Sequence, residues 1–269
     1  MPSVAVSLVD VDRPLRALLD WAARMRGPSE VGDDAVRADG VQLDTVAVRP
    51  EEFTGTARRQ LRHTLDERSL RLSGLFVPTR RSLADPEQLD RRLGAIVTAM
   101  PLAYELGARA VVVRLGRWPS DEDGPQRLAR VLKELAEAGD VHGTPPTLVP
   151  TPGTLAPLAG LLGELEAPVA VQFDPTAAVF ADDPPADRLL SLAGSVTQLT
   201  LRDGRREGFG EAAGVETVLG RGEVDWDVLA AVSHDVPALE WLVLERREGG
   251  QRSVDLTSGV SFARRVFMM

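Results

Sequence analysis

The segment ARAVVVRLG (108–116), followed by GPQRLARVLKELAEAG (124–139), carries the strongest fold signal in the chain. The first part is a continuous apolar run, which is typical of a strand in a parallel sheet that is buried on both faces. The second part has apolar residues at i, i+3, i+4 and i+7 counted from Leu128, which is the spacing of one helix face. Together they predict a β-strand followed by an α-helix.

The same unit recurs along the whole chain. Strands are predicted at 4–9, 41–48, 70–78, 108–116, 146–151, 168–174, 196–203 and 240–247, and helices at 13–25, 56–70, 85–107, 124–139, 154–165, 184–194, 225–234 and 255–267. Eight units in 269 residues, with no linker between them, predict a single-domain α/β protein, a (β/α)8 TIM barrel over 1–269. An open doubly wound sheet is disfavoured, because no glycine-rich phosphate-binding motif follows the first strand.

Composition narrows the class of protein. The net charge of −9 argues against a nucleic-acid-binding protein, because such affinity comes mainly from clustered Lys and Arg. The longest stretch without charged residues, 141–163, contains five prolines and therefore predicts no membrane helix. No basic, signal-like segment begins the chain. We expect a cytoplasmic protein without nucleic-acid or membrane partners, and the sequence leaves a homo-oligomer open.

In a TIM barrel the functional site lies where the strands end. The polar residues predicted there are Asp10, Asp44, Arg49, Thr79, Arg80, Arg114, Asp174, Gln198, Thr200, Arg202, Asp203, Glu245 and Arg247. Asp174 and Glu245 are the acids best placed to face the mouth, since each abruptly ends an apolar strand. Residues two apart share a strand face, so Gln172 is expected beside Asp174. The alternative for the strand-end aspartates is capping of the following helix.

One loop resembles a known family. The segment LGRGEVDWDVLAAV (219–232) is similar to the Leu-Gly-x-Gly-x-x-Asp-Trp loop of the xylose isomerase-like TIM barrels, the superfamily of sugar isomerases, sugar phosphate epimerases and endonuclease IV. The strand ends FDPTAAVF (173–180), LTLRD (199–203) and LVLER (242–246) fall where that family has its metal-binding strands. The three His residues cannot build the His-rich cluster that endonuclease IV chemistry requires.

The resemblance implies four metal ligands, a Glu, an Asp, a His and a Glu on strands five to eight. Carried over by position, the Asp is Asp174 and the last Glu is Glu245, whereas Thr200 stands in place of the His. The strand-five position falls in TLVPTPGT (147–154), which contains no acid, and the family's second His is Ala177 here. We expect no cofactor. If a metal binds, Asp174 and Glu245 would suit Mn or Mg.

Two functions follow from this incomplete site. The first is a sugar isomerase or epimerase acting on, or binding, a small carbohydrate, polyol or sugar phosphate. In that prediction Glu245 and Asp174 are catalytic, and the substrate-binding residues are Arg114, Gln198, Thr200, Arg202, Trp118 and Gln172. The second is a catalytically inactive binding or partner subunit.

Two structural hypotheses accompany these functions. A guanidinium, from Arg114 or Arg202, would occupy the place of the metal and pair with the two acids. The alternative is that these arginines point to solvent. The glycine-rich loop 203–222 would form a lid or pocket wall, or else a mobile decoration.

Overall fold

The structure is a computed structural model that describes residues 1–27, 36–208 and 214–268. Its strands are β1 (Ser3–Ser7), β2 (Arg26–Gly27), β3 (Val36–Arg37), β4 (Gly40–Asp44), β5 (Arg71–Val77), β6 (Val111–Arg114), β7 (Pro146–Val149), β8 (Ala170–Phe173), β9 (Val196–Leu201), β10 (Asp203–Arg206), β11 (Gly214–Thr217) and β12 (Trp241–Leu244). Its helices are α1 (Leu15–Arg24), α2 (Thr45–Val48), α3 (Gly55–Glu67), α4 (Leu89–Glu105), α5 (Gly124–His142), α6 (Leu155–Glu164), α7 (Pro175–Phe180), α8 (Pro185–Ser191), α9 (Trp226–Ser233) and α10 (Arg252–Phe267).

Eight of the strands close into a parallel barrel in the order β1-β12-β9-β8-β7-β6-β5-β4. The predicted TIM barrel is therefore confirmed. Each apolar strand is buried on both sides, because one face packs on the surrounding helices and the other fills the barrel. The register sets Val77 opposite Val113 and Leu244 opposite Leu201, so the strands end at one level and form the mouth.

Three predicted boundaries were wrong, and each error involves capping. The second strand ends at Asp44, because its carboxylate accepts a hydrogen bond from the Ala47 amide (2.8 Å) and starts α2. The helix expected from Asp85 begins at Leu89 instead, since Asp85 accepts hydrogen bonds from the Glu87 amide and Arg81. The strand expected over 168–174 ends at Phe173, because Asp174 accepts a hydrogen bond from the Thr176 amide and caps α7, a helix that was not predicted.

The segment predicted as a long loop is partly a hairpin. Strands β10 and β11 pair antiparallel, with Asp203 opposite Thr217 and Arg206 opposite Gly214. Residues 209–213 of that loop lie outside the described residues. In the described part of the chain, no helix is long and apolar enough to span a membrane.

Candidate functional site

Asp174 pairs with an arginine at the mouth. It follows β8 directly, and its Oδ1 accepts a hydrogen bond from the Thr176 amide (3.0 Å). Its Oδ2 accepts one from Nη2 of Arg202 at 2.5 Å, and only 2% and 8% of the two side chains are exposed. The hypothesis that Arg202 pairs with a surviving acid is confirmed.

Glu245 is held by a different arginine from the one expected. Arg247 donates from Nε to Oε1 (2.7 Å) and from Nη2 to Oε2 (2.9 Å), so both carboxylate oxygens are engaged. This two-bond arrangement is the strongest that a guanidinium makes with a carboxylate. Arg114, which the sequence favoured, lies 3.9 Å from Oε1 and makes no hydrogen bond with it.

The charges around Glu245 determine its protonation. Burial alone would raise the pKa of Glu245, but the charge and hydrogen bonds of Arg247, with the charges of Arg202 and Arg114, outweigh burial and lower the pKa to about 2. Burial would conversely lower the pKa of Arg247, and the Glu245 carboxylate raises it above its ordinary value. Both groups are therefore charged at neutral pH.

The low pKa of Glu245 predicts a specific acid sensitivity. A carboxyl whose pKa is lowered in the folded state contributes stability above its unfolded pKa, and that stability is lost as the pH falls towards the folded pKa. The ordinary pKa of a glutamate carboxyl is 4.5 and the folded pKa of Glu245 is about 2, so the contribution is roughly 3 kcal/mol at neutral pH. We expect the difference in unfolding free energy between the wild type and Glu245→Gln to shrink by about that amount from pH 6 to pH 2.

Urea unfolding at several pH values measures this difference. Glu52→Gln is the matched control, because the Arg49–Glu52 pair is 63% exposed on both sides and its removal should change little at any pH. A difference between Glu245→Gln and the wild type that stays constant from pH 6 to pH 2 would contradict the assignment.

Arg114 is a cation with unused hydrogen-bond donors. Its guanidinium lies 5.0 Å from the ring centre of Phe76 and 3.9 Å from carboxylate oxygens of Asp10 and Glu245. Within the described residues it donates no hydrogen bond, and its Nε is buried without a partner. Nε of Arg202 is likewise buried without a hydrogen-bond partner. Because buried donors normally have partners, these groups point to a ligand or water that completes them.

Three predicted substrate-binding residues lie inside the barrel. Gln172 accepts a hydrogen bond from Gln42 (2.8 Å) and donates one to Oγ1 of Thr200 (3.0 Å), while Gln198 donates to the carbonyl of Ser73 (3.0 Å). All of these side chains are buried. Their contact with a substrate stays a prediction. In this geometry, the hydrogen-bonded side chains support the layer of residues above them at the mouth. Gln42 was missed by the sequence analysis, although Asp44 stands two residues after it, as Asp174 stands two residues after Gln172.

The remaining strand-end candidates have separate surroundings. Asp44 caps α2 and also accepts from the Asp10 amide (3.2 Å), as the capping alternative predicted. Arg49 is exposed and lies 3.4 Å from Glu52. Trp118 is half-buried and packs against the hydrophobic core, so the structure gives no support to an open stacking surface there.

Asp203 organises the loop that follows β9. Its carboxylate accepts hydrogen bonds from five donors, which are the amides of Gly204, Gly220, Gly222 and Val224 and the indole Nε1 of Trp226, at 2.8–3.3 Å. A side chain at Gly222 would place its Cβ 2.1 Å from Oδ1 of Asp203, so glycine is required there. The positions of the glycines and the tryptophan in this loop are thus explained by one buried carboxylate that accepts hydrogen bonds from them.

Glu216 holds the β10–β11 hairpin against the residues that follow β12, beside the mouth. The sequence analysis missed this residue. It accepts hydrogen bonds from the amides of Arg247 (3.1 Å) and Glu248 (3.3 Å), and it lies 3.1 Å from Nη1 of Arg246. Burial raises its pKa, although these contacts oppose the shift. Glu216 thus ties β11 to the residues after β12, which include Arg247, and the role of this segment as a pocket wall stays a prediction.

A family model described as a xylose isomerase-like TIM barrel matches residues 33–265. The chain belongs to this family. The family was correctly indicated by the loop 219–232. No curated protein sequence matches the chain significantly.

Solved structures share the fold of this family member. A xylose isomerase domain protein from Planctomyces limnophilus has a TM-score of 0.80 and 19% identity, with 98% of both chains covered. A xylose isomerase-like TIM barrel protein from Mycobacterium smegmatis, solved in complex with magnesium, has a TM-score of 0.77 and 13% identity, with 99% of this chain and 97% of that chain covered. A D-psicose 3-epimerase solved with D-fructose has a TM-score of 0.74 and 12% identity, over 98% and 99%. At these identities the likeness shows the fold alone.

The family resemblance implies a divalent metal, and the residues of this mouth do not fit one. Both oxygens of Glu245 are bound by Arg247, and both oxygens of Asp174 accept hydrogen bonds. Thr200 is buried and its hydroxyl accepts from Gln172. Over the described ranges, no group of three or more His, Cys, Asp or Glu side chains is arranged to hold a metal. At the positions that the family resemblance gives to ligands, a metal ion would have to displace one guanidinium group from Asp174 and another from Glu245.

Proposed function

We propose that the mouth of this barrel binds a small carbohydrate through arginine side chains and without a metal. The observation that carries the proposal is Arg114, a cation at the mouth whose donors are unused by the described residues. Sugar hydroxyl and carbonyl oxygens are acceptors for such donors. Nε of Arg202 is a second donor without a partner, on the arginine that pairs with Asp174 at the mouth.

Carbohydrate is the ligand class that the family favours. The D-psicose 3-epimerase with the same fold was solved in the presence of D-fructose. Ligands of TIM barrels bind at the end where the strands finish, which is the end at which Arg114 and Arg202 lie. The chemistry of the two arginines and the position of the mouth support the same class of ligand.

The geometry favours binding over isomerisation. Proton transfer is efficient when the base has a pKa near the working pH. Glu245 has a pKa of about 2 and is held by Arg247 through two bonds, so it is a weak base. Asp174 is engaged by Arg202 and the Thr176 amide. We therefore favour a sugar-binding member without isomerase turnover, and the catalytic roles predicted for these two acids are not part of the proposal.

Titration calorimetry with D-fructose and D-fructose 6-phosphate tests the proposal. We expect saturable binding of the sugar phosphate that is equal in EDTA and in added Mn²⁺. We expect Arg114→Leu to weaken it at least tenfold, because a hydrogen bond to a charged group contributes about 1.5–3 kcal/mol. Arg130→Leu is the matched control, since Arg130 is exposed on α5.

The same samples decide between binding and turnover. In D₂O, a ligand that is bound without proton transfer keeps its carbon-bound hydrogens. Binding that requires Mn²⁺, affinity unchanged by Arg114→Leu, or deuterium entering the carbon next to the carbonyl would each contradict the proposal.

A further inference from the structure

An arginine-lined cavity lies beside the mouth, between the end of β5 and the start of α4. Its volume is about 620 Å³. Its charged lining residues are Arg80, Arg81, Arg91, Arg92 and Glu87. Four cations and one anion around one cavity contrast with the net charge of −9 of the whole chain. An excess of positive charge in a concave surface raises the local concentration of anions.

Two of these arginines are engaged within the protein. Arg81 lies 3.0 Å from Asp85 and 2.7 Å from Glu87. Arg92 donates hydrogen bonds to the carbonyls of Glu87 (3.1 Å) and Asp85. Arg81 is therefore neutralised by acids, while Arg92 keeps its charge and is fixed in place by backbone carbonyls.

The other two arginines are unengaged. In the part of the chain that the structure describes, Arg80 and Arg91 make no ion pair and no side-chain hydrogen bond, although both line the cavity. Two planar guanidinium groups that share a cavity suit an anion with several oxygens, such as phosphate, because each guanidinium can donate two parallel hydrogen bonds to it.

The cavity also contains polar atoms without partners. The hydroxyl Oγ1 of Thr79 and Nε of Arg92 are both buried and unbonded. Each can bond a phosphate oxygen, Thr79 by donating its hydroxyl hydrogen and Arg92 by donating its Nε hydrogen. A dry cavity would leave these groups unsatisfied at a free-energy cost, so they favour a polar occupant.

The cavity opens on the same end of the barrel as the mouth. Val77, the last residue of β5 and part of the lining, pairs with Val113 of β6, and Arg114 follows Val113 directly. The residues that follow Val77 in the chain, from Pro78 to Arg81, are therefore carried by the strand next to the one that carries Arg114. The cavity and the mouth are therefore at the same end of the barrel, on neighbouring strands.

We propose that Arg80 and Arg91, with Thr79 and Arg92, bind the phosphate group of a phosphorylated sugar whose carbon chain lies at the mouth. This inference rests on the proposed sugar binding and narrows it to sugar phosphates. The phosphate carries about two negative charges at neutral pH, which matches the two unengaged arginines.

Calorimetric titration of the full chain with inorganic phosphate tests the subsite by itself. We expect saturable phosphate binding that Arg80→Ala/Arg91→Ala weakens at least tenfold. The charge-matched control is Arg24→Ala/Arg130→Ala, because both of its residues are exposed on helices away from this cavity. No saturable binding by the wild type, or the same loss in both double variants, would overturn the subsite.

Titration with D-fructose and D-fructose 6-phosphate separates the subsite from the proposed function. Arg80→Ala/Arg91→Ala should weaken the binding of the sugar phosphate and leave the affinity for the free sugar unchanged. Arg114→Leu should weaken the binding of both sugars and leave the binding of inorganic phosphate unchanged. If Arg114→Leu changes the affinity for neither sugar, the proposed function fails. The titration with inorganic phosphate still shows whether the phosphate subsite exists.

Discussion

Replacing Asp203 with alanine is expected to destabilise the protein by about 4 kcal/mol. The reason is that one buried carboxylate accepts five hydrogen bonds, which join β10, the loop between β11 and α9, and the first residue of α9. Its removal leaves the amides of Gly204, Gly220 and Gly222 and the indole of Trp226 without their acceptor. Buried donors that lose a charged acceptor each carry a desolvation cost.

Urea unfolding at pH 7 measures this effect against a matched aspartate. Asp225 caps α9 through a single hydrogen bond from the Val228 amide (3.1 Å), so Asp225→Ala should cost only about 1 kcal/mol. Asp203→Asn, which keeps an acceptor but loses the charge, should fall between the two. An Asp203→Ala variant no less stable than Asp225→Ala would show that the carboxylate does not organise the loop.

Arg247→Met is expected to destabilise the protein by about 3–5 kcal/mol at pH 7, because it leaves the Glu245 carboxylate buried without its two hydrogen bonds. Neutralising that carboxylate should restore part of the loss. We therefore expect the double variant Arg247→Met/Glu245→Gln to be more stable than Arg247→Met by roughly 2 kcal/mol.

A double-mutant cycle on unfolding free energies tests this coupling. The exposed Arg49–Glu52 pair, replaced as Arg49→Met and Glu52→Gln, is the control and should show a coupling below about 1 kcal/mol. If the two changes at Arg247 and Glu245 simply add, the pair is not the buried unit that the structure shows.

The barrel could be predicted from the sequence because its signals are local and repeated. Apolar runs such as 108–116 and helical spacing such as that of 124–139 report burial on each element directly. The boundaries were less accurate, because a single capping carboxylate decides them. Asp44 ends its strand through one hydrogen bond to Ala47, and the composition of 41–48 does not reveal that bond.

The site could be predicted only in part, because its pairs join residues far apart in the chain. The sequence indicated Asp174 and Glu245 and the missing ligands around them, since those follow from residue type and order. It did not indicate which arginine meets which acid, because Arg202 and Arg247 were two of several near strand ends. Glu216 had no signal, as it lies in β11, a short strand within a segment that was predicted as a loop, and it binds amides 31 and 32 residues away.

In the proposed function, guanidinium groups, and not a metal, neutralise Asp174 and Glu245 at the mouth. A titration of EDTA-treated protein with Mn²⁺, followed by the electron paramagnetic resonance signal of the free ion, tests this claim most directly. We expect the protein to leave the free-ion signal unchanged, and Asp174→Asn and Glu245→Gln to give the same result as the wild type. Saturable loss of the signal at one ion per chain, abolished by those two substitutions, would contradict it.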